Sequence, residues 1–433
     1  MKKLFALLTS LTLLVFAFSA CQQQTVKDDG LVIENNYLAA ECSENKMTSD
    51  GTGLYFCYSP YSLHYIDTDT QKASILCSKP DCPHYVENPG MESLDCFAQM
   101  IYDGGGDLYY YQEKLYYTIL GNNQTAAILA QANPTGTETK TLIEMQDALS
   151  DDMDAFLSAN PGAVVTGISP RILGAHGGKL YLHAAITYTV SQNGASSDKS
   201  QSVLLFYDCA NGSVGQIEND EIKTQLEAGV PVSAVLCGSR MICLFTLVDK
   251  TREDPMASQE NSYRLVSVDL DSQQVDKTLD FEDVGILEPH ITQSGDFYLT
   301  EAVWDGQNQM QIYHEYNEGL EKESEYTLNL SESGVPWRLE NRLVCTNGVL
   351  LDNGEFDPEK SEITVIDLET QESKTETAPY SLGILGDAHG KVLANREMTQ
   401  YFLLDETALV ESPETVSPSP VEGLLVDPYI SLE

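Results

Sequence analysis

Three observations predict an all-β chain folded as a β-propeller of about seven four-stranded blades. One short phrase recurs seven times, 46 to 65 residues apart. Each copy is followed by further apolar runs, several ending in Asp and a polar turn. The apolar residues also follow the period of strands and not of helices. Four short strands per repeat, repeated around a ring, are a propeller. The phrase is a turn, most often with Lys, Arg or Asp, then an apolar β-rich run. Its copies are Gly53-Leu54-Tyr55-Phe56, Lys114-Leu115-Tyr116-Tyr117, Lys179-Leu180-Tyr181-Leu182, Arg240-Met241-Ile242-Cys243, Asp296-Phe297-Tyr298-Leu299, Arg342-Leu343-Val344-Cys345 and Lys391-Val392-Leu393-Ala394.

The chain begins with an export signal over residues 1–20. Lys2 and Lys3 precede an apolar run from Leu4 to Phe18, and Ser19-Ala20-Cys21 follows. That run is too short to span a bilayer and carries the flanks of a signal peptide. Phe18-Ser19-Ala20-Cys21 resembles a bacterial lipobox, which implies lipidation (palmitate class) of Cys21. Residues 21–30 are polar and are expected to tether the folded part to the membrane. The expected location is therefore the cell membrane, lipid-anchored on its extracytoplasmic side.

Residues 31–410 form the expected propeller. Second runs such as Leu63-His64-Tyr65-Ile66-Asp67, Leu204-Leu205-Phe206-Tyr207-Asp208, Leu265-Val266-Ser267-Val268-Asp269 and Ile363-Thr364-Val365-Ile366-Asp367 end in Asp, whose carboxylate can accept from the next turn's amides. Turns between first and second and between third and fourth strands are short. The long insertions are expected on the opposite face. Ser191–Gln201 and Asp249–Ser262 are expected as second-to-third loops. Two blade connections are expected as short helices. Met145, Leu149, Met153 and Phe156 share a helical spacing within Glu144–Asn160, and Ile222 and Leu226 do so within Asn219–Ala228. Binding commonly lives on loops held by a rigid scaffold, so the face of the long insertions is the expected working face. Residues 411–433 are a tail or a closing strand; Leu31-Val32-Ile33 could close the ring instead.

Lys+Arg 24 against Asp+Glu 66 gives a net charge of −42, which excludes a nucleic-acid binder. Hydrophobic residues at 42% and 23 tyrosines exclude a disordered acidic chain. Beyond Cys21 there are nine cysteines: Cys209, Cys237, Cys243, Cys345 and Cys57 lie in or beside apolar runs and read as core residues. Cys77, Cys82, His84 and Cys96 fall within 20 residues, in a segment broken by Pro80, Pro83 and Pro89. Three thiols and an imidazole suit a tetrahedral structural zinc. A disulfide such as Cys82–Cys96 is the competing reading in an exported chain.

The lipobox, the Tyr-rich phrase and the Cys77/Cys82/His84/Cys96 segment together resemble a family of uncharacterised bacterial surface lipoproteins with propeller bodies. More distantly the blades resemble TolB-like and YWTD-like propellers, without a clean YWTD phrase. The resemblance implies a fold and an anchor but no activity. No Gly-x-Ser-x-Gly elbow or His-Glu-x-x-His helix is present, and His183, His290 and His314 read as packing residues. Gly104-Gly105-Gly106 reads as a turn. The function expected is a monomeric binding module for a protein or glycan ligand; the alternative is an envelope or extracellular glycan hydrolase or lyase with its site at the propeller funnel.

Overall fold

The computed structural model describes residues 47–422 except 59–61, 78–104, 122–125, 193–194, 218, 228–229, 231, 248–260, 293–294, 305–308, 318, 330–334, 351–355, 381–382, 389 and 397–399. Seven antiparallel four-stranded sheets follow one another around a ring, each with its strands in chain order. Blade 1 holds β1 (Met47–Ser49), β2 (Gly53–Tyr58), β3 (Ser62–Asp67) and β4 (Lys72–Ile75). Blade 2 holds β5 (Gly105–Tyr111), β6 (Lys114–Ile119), β7 (Ile128–Ala132) and β8 (Lys140–Glu144). Blade 3 holds β9 (Ala163–His176), β10 (Lys179–Gln192), β11 (Ala195–Asp208) and β12 (Val214–Gln216). Blade 4 holds β13 (Val232–Cys237), β14 (Arg240–Leu247), β15 (Asn261–Asp269) and β16 (Gln274–Val284). Blade 5 holds β17 (Ile286–Ile291), β18 (Phe297–Trp304), β19 (Gln309–Tyr316) and β20 (Lys322–Asn329). Blade 6 holds β21 (Val335–Leu339), β22 (Arg342–Leu350), β23 (Phe356–Asp367) and β24 (Ser373–Ala378). Blade 7 holds β25 (Gly383–Ala388), β26 (Lys391–Arg396), β27 (Gln400–Asp405) and β28 (Ser419–Pro420).

All seven copies of the recurring phrase are second strands. Their apolar runs are nearly continuous because a blade's middle strand is covered on both sides by neighbouring blades. In β14, Met241 to Phe245 are all buried. Outer strands keep one side wet, so β16 alternates exposed and half-buried positions along most of its length. Seven apolar clusters fill the seven seams. The one between blades 2 and 3 joins Tyr109, Tyr116 and Leu129 to Leu180, Leu182 and Tyr188. The one between blades 5 and 6 joins Tyr298 and Tyr313 to Leu343 and Cys345.

The turns after the third strands repeat one device. Asp67, Asp269 and Asp367 accept from the backbone N–H three residues on, at 2.7, 2.8 and 2.7 Å. The residue after that, Gln71, Gln273 or Gln371, takes a left-handed conformation with φ of 56–59°. The Thr70 amide, the Ser272 hydroxyl and the Thr370 amide are the leading reasons that these three carboxyls titrate below the usual range. The Asp-ended runs are thus turn starters, as their sequence suggests.

A polar link also crosses each seam. Thr48 Oγ1 accepts from Tyr110 N at 3.1 Å, and Asp107 Oδ2 from Ile172 N at 2.6 Å. His176 meets Asp271 at 3.0 Å, and Cys237 Sγ donates to Gly295 O at 3.1 Å. Arg338 binds Glu315, and Trp337 Nε1 donates to Asp387 Oδ1 at 3.0 Å. Ala73 N donates to Glu422 O at 2.7 Å, so residues 419–422 complete blade 7 and reach across to β4. The carboxyl segment therefore helps close the ring; Leu31-Val32-Ile33 lies outside the described residues.

The helices refine the expectation. Residues 145–159 form two, α1 (Met145–Ala148) and α2 (Ser150–Ala159), with Met145 and Leu149 buried. Helix α3 (Asp220–Glu227) is capped by Asn219, whose side-chain oxygen accepts from Glu221 N at 3.1 Å and Ile222 N at 3.3 Å. Helix α4 (Glu406–Glu411) had no counterpart in the sequence reading. It joins a third strand to a fourth, so the insertions are not confined to one face. Ser191–Gln201 is a second correction. It is not a loop, because β10 runs to Gln192 and β11 resumes at Ala195, paired throughout. Gly105 and Gly106 likewise open β5 instead of forming a turn; a Cβ on Gly106 would lie 1.7 Å from the Thr118 carbonyl oxygen.

Candidate functional site

The strand order places first-to-second and third-to-fourth turns on one face of the ring, and on that face a cleft of about 710 Å3 crosses blades 4 to 6. This is the short-turn face, opposite the one the sequence favoured. The cleft is lined by Arg240, Asp296, Glu315, Tyr316, Asn317, Glu323, Arg338, Glu340, Asn341 and Glu369, with Phe297, Leu320 and Leu368 at its floor. Each polar group comes from a turn or from one of the two residues at a strand end beside it. The register of each β-meander brings these positions to the same height.

Arg338 is the structural centre of this wall. It is 4% exposed and carries a full charge into the seam between blades 5 and 6. Its two terminal nitrogens both bind the Glu315 carboxylate, one at 2.9 Å, and Nε donates to Glu340 O at 2.8 Å. Its guanidinium lies 4.0 Å from the centroid of the Tyr298 ring. Burial alone would lower the pKa of Arg338; Glu315 outweighs it and holds the guanidinium above its ordinary value. Behind Tyr298 the rings of Tyr313 and His290 are stacked at 6.2 and 5.1 Å. The Tyr313 hydroxyl is buried without a hydrogen-bond partner, and burial raises its pKa well above the usual value.

Arg240, the second cation of the cleft, is held by Asp276 at 2.8 Å. Both arginines are thus matched by carboxylates. Glu323 and Glu369 are exposed and belong to none of the ion pairs among the described residues. The cleft therefore offers surplus negative charge and two amides, beside the buried Tyr316. Next to it, Glu406 is pushed up to about 7, first by burial and then by Asp387, Glu340 and Asp405. Asp387 is 2% exposed on the inner strand of blade 7.

The residues singled out from sequence divide as follows. Cys21, Cys82, His84 and Cys96 lie outside the described residues, as does most of Asp249–Ser262. Cys77 is half-buried just past β4. Among the described residues no group of three or more His, Cys, Asp or Glu could hold a metal ion. Cys243 and Cys345 are core residues, and burial pushes both thiols up to about 12. His290 bonds Thr300 Oγ1 at 2.9 Å, in keeping with a packing role. His314 is not isolated: Nε2 meets Glu301 at 2.9 Å and Nδ1 lies 3.3 Å from Glu325. Burial lowers His183 to about 4. Sequence reasoning missed Arg338, Glu315, Glu340 and Glu406. The one available signal was position, since Glu340 lies in the turn before a copy of the phrase.

No helix among the described residues is long and apolar enough to cross a membrane. No protein-family model and no curated protein matches the chain. Among solved structures it is similar to the polysaccharide lyase Uly1, with 11% identity over 85% of this chain and 88% of that one, at a TM-score of 0.41. An ACO/RPE65 chimera matches at 9% identity over 81% and 74%, with a TM-score of 0.37. The computationally designed Ika8 protein matches at 8% over 86% and 98%, with a TM-score of 0.35. At such identities the propeller rests on the strand topology described above.

Proposed function

We propose that the chain is a lipid-anchored extracytoplasmic propeller whose cleft binds a neutral or cationic ligand, a glycan or a segment of protein. The observation that carries this is the lining of the short-turn cleft. Its two arginines are already matched by Asp276 and Glu315, while Glu323 and Glu369 remain open to solvent. Unspent carboxylates beside Asn317, Asn341 and Tyr316 favour hydroxyl, amide or ammonium groups over anions. The test is binding of neutral glycans, amino-sugar glycans and basic peptides to the intact protein and to the double variant Glu323→Lys/Glu369→Lys. Binding in the cleft should weaken on the order of tenfold or more on charge reversal. Unchanged binding of every ligand removes the cleft from the proposal.

A glycan hydrolase or lyase at the funnel is the second reading, and one observation favours it. Glu406 is a partly buried acid pushed up to about 7, by burial first and then by Asp387, which suits a proton donor. Turnover of uronate-containing or neutral glycans that is lost in Glu406→Gln would establish it. Zinc on Cys77, Cys82, His84 and Cys96 is proposed as a loop staple, outside any catalytic step. Metal analysis should give close to one zinc per chain with the thiols reduced; no zinc and an oxidised Cys82–Cys96 pair selects the disulfide.

A further inference from the structure

Every blade begins at the face opposite the cleft, and so does β1, which the chain joins at Met47. The described chain therefore starts, at Met47, on the long-insertion face. Three of the four large apolar side chains exposed among the described residues stand at that same face. Val164 is 57% exposed near the start of β9, Ile286 is 58% exposed at the start of β17, and Trp304 is 49% exposed at the end of β18. Ile286 and Met47 lie at the starts of inner strands, whereas Val164 lies farther out, on the part of blade 3 that extends past the ring. Ile286 is paired with Ala302, two residues from Trp304, which puts both side chains on one side of blade 5.

We propose that this face is turned to the bilayer, with Trp304 and Ile286 seated in the interfacial layer of a neutral lipid surface and the cleft presented outward. The inference rests on the lipid-anchor reading of Cys21. Indole rings favour that layer, having an apolar body and one donor. Asp151, Asp152 and Asp154 on α2 lie beside the long hairpin at that face. Their charge selects a zwitterionic surface over an anionic one and makes the contact depend on the anchor. The covalent attachment supplies the local concentration, and the apolar side chains supply the orientation.

The chain has two tryptophans, and the other, Trp337, is packed in the seam between blades 6 and 7 and bonded to Asp387. That makes the orientation measurable. The lipidated full-length chain is placed on phosphatidylcholine vesicles with bromine atoms high on the acyl chains, and tryptophan emission is recorded. Quenching should persist in Trp337→Phe and be lost in Trp304→Phe. Raising the fraction of phosphatidylglycerol should reduce it. A chain that floats with the vesicles while Trp304 stays unquenched overturns the orientation but leaves the anchor standing. A chain that fails to float, and behaves as Cys21→Ser does, overturns the anchor and the orientation with it.

Discussion

The seam between blades 2 and 3 and the seam between blades 5 and 6 solve one packing problem in two ways. The first buries a cluster of 18 residues, including Tyr116, Leu182, Ile186 and Tyr188, and extends it with Phe156 of α2, whose ring stacks on Tyr188 at 3.8 Å. Among the described residues the second has a cluster of seven. It adds a buried arginine, bound by Glu315 and laid over Tyr298. Apolar burial is non-directional and forgives small shifts. A buried ion pair contributes little net stability, because desolvation offsets attraction, yet it admits few alternative geometries. The seam with fewer apolar residues is therefore the one whose geometry is most constrained, and it forms a wall of the cleft.

The largest expected effect breaks the second seam. Arg338→Ala leaves the half-buried Glu315 without its partner and removes the buried guanidinium from Tyr298, and should cost about 3–5 kcal/mol in denaturant unfolding. Arg338→Met/Glu315→Leu should recover most of that loss, because neither charge then remains. If the single variant loses less than about 1 kcal/mol, the ion pair is solvated and the contrast fails. Next is Leu182→Ala in the first seam. Leu182 is fully buried, and the cavity should cost about 2–4 kcal/mol, with no dependence on salt. Phe156→Ala should cost about 1–2 kcal/mol, since its ring is only partly buried but its stacking with Tyr188 is lost. Survival of full stability would show that α2 is not part of that seam.

The smallest effect concerns pH and the cleft. Glu406 is raised from 4.5 to about 7 in the fold, so the folded state holds a proton that the unfolded state has released between those values. Stability from this group is full below pH 4.5 and is lost as pH rises toward 7. Glu406→Gln should match the natural protein near pH 4.5. At pH 8 it should be more stable by roughly 1 kcal/mol, a figure reduced for the solvent that reaches the carboxyl. Parallel pH profiles would place Glu406 in water.

Blade number and strand phase were legible because each middle strand must bury both sides, which writes Leu115-Tyr116-Tyr117 or Met241-Ile242-Cys243 into the chain as an unbroken apolar run. The long hairpin of blade 3 was not legible in the same way. Beyond the ring α2 covers one side of β10, where Ile186, Tyr188 and Val190 are buried, but β11 is exposed, so Ser196 to Gln201 carry no apolar alternation. The Asn193-Gly194 pair, a preferred two-residue hairpin turn, was the remaining signal. Helix α4 was missed for a similar reason, being one and a half turns long with Leu409 as its buried contact.

The sequence by itself determined a ring of seven meanders, because periodic burial is a local constraint repeated at every blade. The tertiary structure decided which rim carries the cleft. Arg240, Asp296, Asn317, Glu340 and Glu369 are scattered through three blades, and each looks like an ordinary turn residue. Only ring closure sets them side by side, and proximity between distant turns leaves no periodic trace in a chain.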